Sequence, residues 1–140
     1  LPSGERFKVP NNLYIIGTMN SADPSISLID AALRRRFHFE EMIPNEELIG
    51  DEELRGVFAK LNKNLKEDFR GTDLLIGHSY FMGKDAEELP DIMNDNIIPL
   101  LYEYYYDDET KIRAAVAKSL PEDYGINPQN HGRMKIHSKP

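Results

Sequence analysis

The sequence has no cysteine, which excludes disulfides and thiolate metal sites. It has no run of about 18 apolar residues, the length a helix needs to cross a bilayer, so no membrane span is expected. The opening Leu1-Pro-Ser-Gly-Glu-Arg6 has no apolar signal core; no secretory signal is expected, and a cytoplasmic setting is the simplest reading. Positive charge is scarce as well: 17 Lys and Arg stand against 24 Asp and Glu, a net charge of -7. That balance argues against strong DNA binding by this chain on its own, because neutralising phosphates needs a basic face. DNA contacts through other domains or partner subunits are unaffected. Two more absences bear on chemistry. There is no Gly-x-x-x-x-Gly-Lys-[Ser/Thr] loop to cradle phosphates, and no hydrophobic strand ending in Asp-Glu.

What is present fits one domain, or a domain piece with a small bundle: 140 residues, 40% hydrophobic and 29% charged. Residues 1–12 carry Pro2, Gly4, Pro10 and Asn11-Asn12, and read as a turn into the first strand. The apolar run 13–18, with Tyr14, Ile15 and Ile16, predicts a strand covered on both faces, as in a parallel sheet. A polar turn over 20–24 follows. Ser25 then caps a predicted helix over 26–34, with Ile26, Ile29 and Leu33 on one face. The alternation from Phe37 to Glu40 predicts a second short strand over 36–42, and Pro44-Asn45 marks a boundary.

Beyond that boundary the pattern is helical. Asn45 is expected to cap a helix reaching Phe69, with Leu54, Val57, Phe58, Leu61, Leu65 and Phe69 as its stripe. Gly71-Thr-Asp73 breaks it, and a short segment, 74–82, ends at Gly83. A second helix is predicted over 86–106, kinked at Pro99, and a third from the Asp108 cap to Ser119. Residues 121–140 lack periodicity and read as a polar coil or tail. The fold class is an α/β fragment, mostly α. Its expected domains are 1–44, the end of a parallel-sheet core with one or two strands; 45–120, a helical lid bundle; and 121–140, the tail.

Several groups carry candidate chemistry, each beside a plainer role. Asn20 ends the first predicted strand, where α/β sheets bind ligands, and its amide can donate to a phosphate without adding charge; an Asn there also simply caps turns. Arg34, Arg35 and Arg36 end a helix, where cations complement the dipole. Arg34 is placed to pair with Asp30 at i−4. The four histidines are scattered without metal-ligand spacing, so no metal site is assigned. Tyr102, Tyr104, Tyr105 and Tyr106 read mainly as helix packing, with a partner contact open because not all four can face one core.

Two stretches together carry a resemblance: Asn12-Leu-Tyr-Ile-Ile-Gly-Thr-Met-Asn-Ser-Ala-Asp23 and Leu28-Ile-Asp-Ala-Ala-Leu-Arg-Arg-Arg-Phe37. They resemble the AAA+ module of the McrB-type family, the nucleotide-driven subunits of modification-dependent restriction systems. Ile76-Gly-His-Ser-Tyr-Phe81 resembles that family's lid segment. The likeness spans most of residues 10–105. It implies a sensor-1 role for Asn20 and a trans arginine finger from Arg35 and Arg36, with His78 or Ser79 near the nucleotide; the plainer reading of that segment is a packing turn whose Tyr80 and Phe81 are core. No arginine occupies the lid segment, so an arginine sensor 2 is not implied. The family usually reads Met-Asn-Thr-Ala-Asp-Arg. Here Ser21 keeps the hydroxyl of Thr, and Pro24 removes the cation. The resemblance further implies ATP or GTP with Mg²⁺ in the intact module, a hexameric ring and a nuclease subunit as partner. This chain without the phosphate loop is expected to bind no nucleotide tightly and to hydrolyse none; its other partner is the portion carrying that loop. Two other readings remain: a non-catalytic helical module docking a partner through its tyrosines, and another AAA+ branch such as a MoxR-like chaperone.

Overall fold

A computed structural model describes residues 8–19, 31–127 and 132–140. The chain divides into two units, 1–36 and 37–140.

In the first unit, residues 13–19 adopt no regular secondary structure, and the strand expected over 13–18 is not formed. Tyr14, Ile15 and Ile16 are 88%, 67% and 93% exposed. A strand exists by pairing its N–H and C=O groups with a neighbour. No second strand lies in this unit among the described residues, so the apolar run has neither ladder nor cover. Residues 20–30, with Asn20, the polar turn and the Ser25 cap, lie outside the described residues. The described part of the predicted 26–34 helix is one turn, α1 (Ala31–Arg34).

The strand expected over 36–42 is also absent. Residues 38–45 are irregular, and Phe37 and Phe39 both remain exposed. The helical unit begins at Asn45, though differently from the sequence reading. Asn45 Oδ1 accepts from Glu47 N–H at 2.9 Å and caps only a short 3-10 turn, Glu46–Leu48. Ile49 then turns extended and is fully buried, and its carbonyl accepts two hydrogen bonds from the Arg55 guanidinium, at 3.1 and 2.8 Å. Burying Ile49 in the core interrupts the helix. The long helix α2 (Glu52–Phe69) starts from its own cap, Asp51 Oδ1 accepting Leu54 N–H at 2.9 Å. Its buried stripe is Leu54, Val57, Phe58, Leu61 and Leu65, with Phe69 packed at the margin. Arg70 takes the left-handed conformation (φ 54°) and ends it before Gly71.

The helix expected over 86–106 is built in segments. A 3-10 turn (Ala86–Glu88) leads into α3 (Leu89–Asp91), a π-helical turn (Ile92–Ile97) and α4 (Ile98–Tyr104). Pro99 explains the π turn. A proline lacks its N–H, and in a regular α ladder its ring meets the carbonyl four residues back. Here Ile98 N–H reaches Met93 O, five residues back, and the widened turn accommodates the ring where a kink was expected. Tyr106 and Asp107, both left-handed (φ 50° and 61°), end this helix; Asp107 N–H closes it onto Tyr102 O at 2.9 Å. Asp108 caps α5 (Glu109–Ser119) through Lys111 N–H at 3.2 Å, as the sequence indicates.

Residues 121–140 depart most from expectation. Where a coil was read, β1 (Tyr124–Ile126) pairs antiparallel with β2 (Ile136–Ser138), Gly125 opposite His137. A Cβ on Gly125 would lie 3.0 Å from the exposed His137 ring, so a larger residue there requires that ring to shift by a few tenths of an ångström. Met134 and Ile136 face the core, while Lys135 and His137 face outward. Side-chain contacts from Asn94 and Tyr102 hold this segment down. Asn94, in the π turn, accepts from Ile136 N–H at 2.8 Å and donates to its carbonyl at 3.0 Å. Tyr102 Oη accepts from Met134 N–H at 3.1 Å, and the Arg133 guanidinium lies 5.5 Å from the Tyr102 ring centre. Asn94→Ala leaves both backbone groups of the buried Ile136 without that partner. The expected loss of stability is about 1–3 kcal/mol per unsatisfied group, read as a lower urea midpoint with the hairpin amides exchanging fastest.

Candidate functional site

Arg35 and Arg36, the arginines expected to act in trans, lie just after the end of α1 (Ala31–Arg34). Arg34 is the last residue of that helix; its expected partner Asp30 lies outside the described residues. Arg35 and Arg36 occupy the following turn, closed by Arg36 N–H donating to Leu33 O at 2.9 Å. Both are exposed, and among the described residues neither forms an ion pair. Asn20, the expected sensor, lies outside the described residues.

His78 and Ser79 belong to the other unit and share one 3-10 turn, His78–Tyr80. Each end of the turn is anchored by a fully buried side chain. On the N-terminal side Ile76 is 0% exposed, and its backbone is gripped by the Asn62 amide: Ile76 N–H donates to Oδ1 at 2.7 Å, and Nδ2 donates to Ile76 O at 3.0 Å. On the C-terminal side Phe81, also 0% exposed, meets the Phe58 ring edge-on at 5.5 Å. The His78 carbonyl accepts from Phe81 N–H (3.0 Å) and Met82 N–H (3.1 Å), and Gly83 (φ 66°) ends the segment. The His78 ring is half-buried, and its Nδ1 accepts Asn45 N–H at 3.2 Å. Ser79 is exposed. Of the two aromatic residues read as core, Phe81 is core and Tyr80 is 38% exposed. The turn thus offers an imidazole and a hydroxyl from a rigid backbone.

The Asn62 grip and the Asn45–His78 contact escaped the sequence reading. A signal for the first was present: Asn62 sits mid-helix, where asparagine is a poor helix former and tends to bond backbone elsewhere. Asn64 repeats it, donating to Ser119 Oγ at 3.1 Å on α5. Among the described residues no group of three His, Asp or Glu is placed to hold a metal ion.

The tyrosine cluster separates by depth. Tyr102 and Tyr105 are core, 8% and 6% exposed, Tyr104 is half-buried and Tyr106 is 92% exposed. The Tyr105 hydroxyl donates to Asp68 Oδ2 at 2.5 Å, and its ring lies 4.9 Å from Phe69. Docking through Tyr104 and Tyr105 together therefore meets a core residue; Tyr106 alone of the four is largely in solvent. Burial pushes the phenol of Tyr105 up, and its hydrogen bond to the Asp68 carboxylate adds to this. Burial likewise raises Tyr104 and Tyr124.

Residues 53–113 match the family described as the alpha-helical lid domain of McrB. The chain is also 37% identical, over 130 residues, to the EcoKMcrB subunit of the type IV methyl-directed restriction enzyme of Escherichia coli K12. That match covers 76% of this chain and 28% of the relative, so the chain spans less than a third of the relative's length.

The raised tyrosines set a pH dependence. A phenol whose folded pKa lies above its unfolded value near 10 keeps its proton in the folded state after the unfolded chain has lost it. Stability is then full below about pH 10 and falls as pH rises beyond it. Melting temperatures recorded from pH 8 upward should stay level to about pH 9 and then drop. Tyr105→Phe should flatten part of that drop while lowering stability by about 1 kcal/mol at neutral pH through the lost hydrogen bond.

Proposed function

The chain belongs to the McrB-like AAA+ family, and from this we propose that it forms the rear part of a nucleoside-triphosphatase module and contributes its phosphate-handling groups. The observation that carries the reading is the match of residues 53–113 to the McrB lid. It supports the McrB branch over a MoxR-like one. Arg35 and Arg36, exposed and without an ion pair among the described residues, support this reading as groups kept available for another molecule.

In this reading Asn20 donates its amide to the terminal phosphate and helps orient the attacking water. Arg35 and Arg36 act on the nucleotide of a neighbouring copy in a ring, hexameric by resemblance. Their planar guanidinium groups stabilise charge on the transferring phosphoryl oxygens, an effect of about 10³–10⁵ in rate for a finger of this kind. In the lid segment, His78 or Ser79 approaches the base or the phosphates of a bound nucleotide. The phosphate loop and the Mg²⁺ ligands come from the portion of the module that precedes these residues in an AAA+ chain. The apolar run 13–16 packs against that portion, which supplies the sheet partners it otherwise lacks. By likeness to the relative, the assembled ring drives a modification-dependent restriction system through a nuclease subunit, with DNA held by other domains or partners.

The test is nucleotide hydrolysis, with ATP and with GTP, by this chain mixed with a matching portion that carries the phosphate loop. The chain by itself should be inactive and the mixture active. Arg35→Ala should lower the rate by about 10³ or more, and Asn20→Ala by about 10²–10³, the usual loss on removing one transition-state donor. Association without activity, or an active mixture indifferent to both substitutions, sinks the proposal and leaves a non-catalytic docking module in its place.

A further inference from the structure

His78 has one ring nitrogen committed by the fold. Asn45 N–H donates to Nδ1 at 3.2 Å, and a nitrogen that accepts from an N–H carries no proton of its own. The neutral ring therefore bears its hydrogen on Nε2. Among the described residues nothing accepts from that Nε2–H. The donor of the Asn45–His78 bond is itself held, since the Asn45 side chain caps the turn that follows it. The acceptor is held too: Asn62 fixes Ile76 on one side of the turn, and buried Phe81 fixes the other. A ring with a set tautomer on a set backbone has a set polarity.

We propose that this turn is a hydrogen-bond donor site, in which His78 Nε2–H meets an oxygen acceptor of the bound nucleotide. The acceptor is a phosphate oxygen or the 6-keto oxygen of a purine. The proposal rests on the nucleotide-handling reading above and adds the polarity of the contact. It makes Asn62 a positioning residue, acting through the backbone of Ile76 and Gly77.

Two substitutions separate the ring's two nitrogens. A glutamine amide nitrogen reaches the place of Nε2, so His78→Gln keeps the outward donor. The shorter asparagine reaches only the place of Nδ1, so His78→Asn keeps the acceptor for Asn45 and loses the donor. In the active mixture, His78→Asn should raise KM roughly tenfold, the usual worth of such a bond to a charged or well-placed acceptor, with the melting temperature unchanged. His78→Gln should stay near the parent KM. If the loss is equal for ATP, GTP and ITP, the acceptor is a phosphate oxygen; if confined to GTP and ITP, it is the base. Asn62→Asp, which sets a carboxylate against the Ile76 carbonyl, should raise KM as well, yet add little on top of His78→Asn. Nitrogen-15 NMR of the imidazole in the chain itself should give the Nε2–H pattern. An Nδ1–H tautomer overturns the proposal, as does an asparagine variant with parent KM. Arg35→Ala in the same assay separates the two ideas. An inactive Arg35→Ala beside a fully active His78→Asn refutes the donor site only; full activity in both refutes the nucleotide reading as well.

Discussion

Side-chain amides that bind backbone hold this fold together more than any sheet does. Asn62 meets both polar groups of Ile76, and Asn94 meets both polar groups of Ile136. Each amide imitates one rung of a β ladder: it presents a donor and an acceptor in the pattern a neighbouring strand would offer. The two isoleucines are buried and lie outside the helices. A buried backbone group without a partner is costly, so an irregular segment enters a core only where something satisfies it. These asparagines allow extended chain to lie against helices, as the Arg55 guanidinium does for the extended, buried Ile49.

From that constraint the rest follows in order. The stripe on α2 and the faces of α4 and α5 build one apolar core with Leu61, Leu101 and Ile112 at 0% exposure. Ile76 and Phe81 are the points at which the connection after α2 enters that core, and the four residues between them are left at the surface on a short tether. A turn anchored in this way loses little further conformational freedom when it meets a ligand, which is the advantage of placing recognition groups there. Ile136 does for the β1–β2 hairpin what Ile76 does for the turn.

Much of this was legible in the sequence, and the misses share a cause. The stripe of α2, its end at Phe69, the Asp108 cap and the end of α5 follow from periodicity and capping, which are local. The start of α2 was misplaced because Asn45 is a genuine cap, though of a separate turn; only the burial of Ile49, a tertiary event, divides the two. The hairpin was read as coil because each strand has three residues and their pairing spans a long gap in sequence, although the alternation of Met134 and Ile136 with Lys135 and His137 was visible. For the site, the motif located His78 and Ser79, but the Asn45 contact joins residues 33 apart, and no local pattern encodes it.

The two units differ in how far they satisfy themselves. Residues 37–140 close a core of their own, and residues 53–113 within them match the McrB lid. In residues 8–19, by contrast, Tyr14 and Ile16 are almost wholly in water, though their sequence is that of a strand covered on both faces. Tyr14 and Ile16 each hold enough apolar surface to be worth roughly 1.5–3 kcal/mol when buried, a gain this chain leaves unrealised. Such residues are matched to a neighbour, and in the proposed reading that neighbour carries the phosphate loop. Asn20, the sensor of that reading, follows this run in sequence. In that reading, docking the run and setting Asn20 against the nucleotide are one event. The lid, folded on its own, waits with the polarity of His78 already fixed.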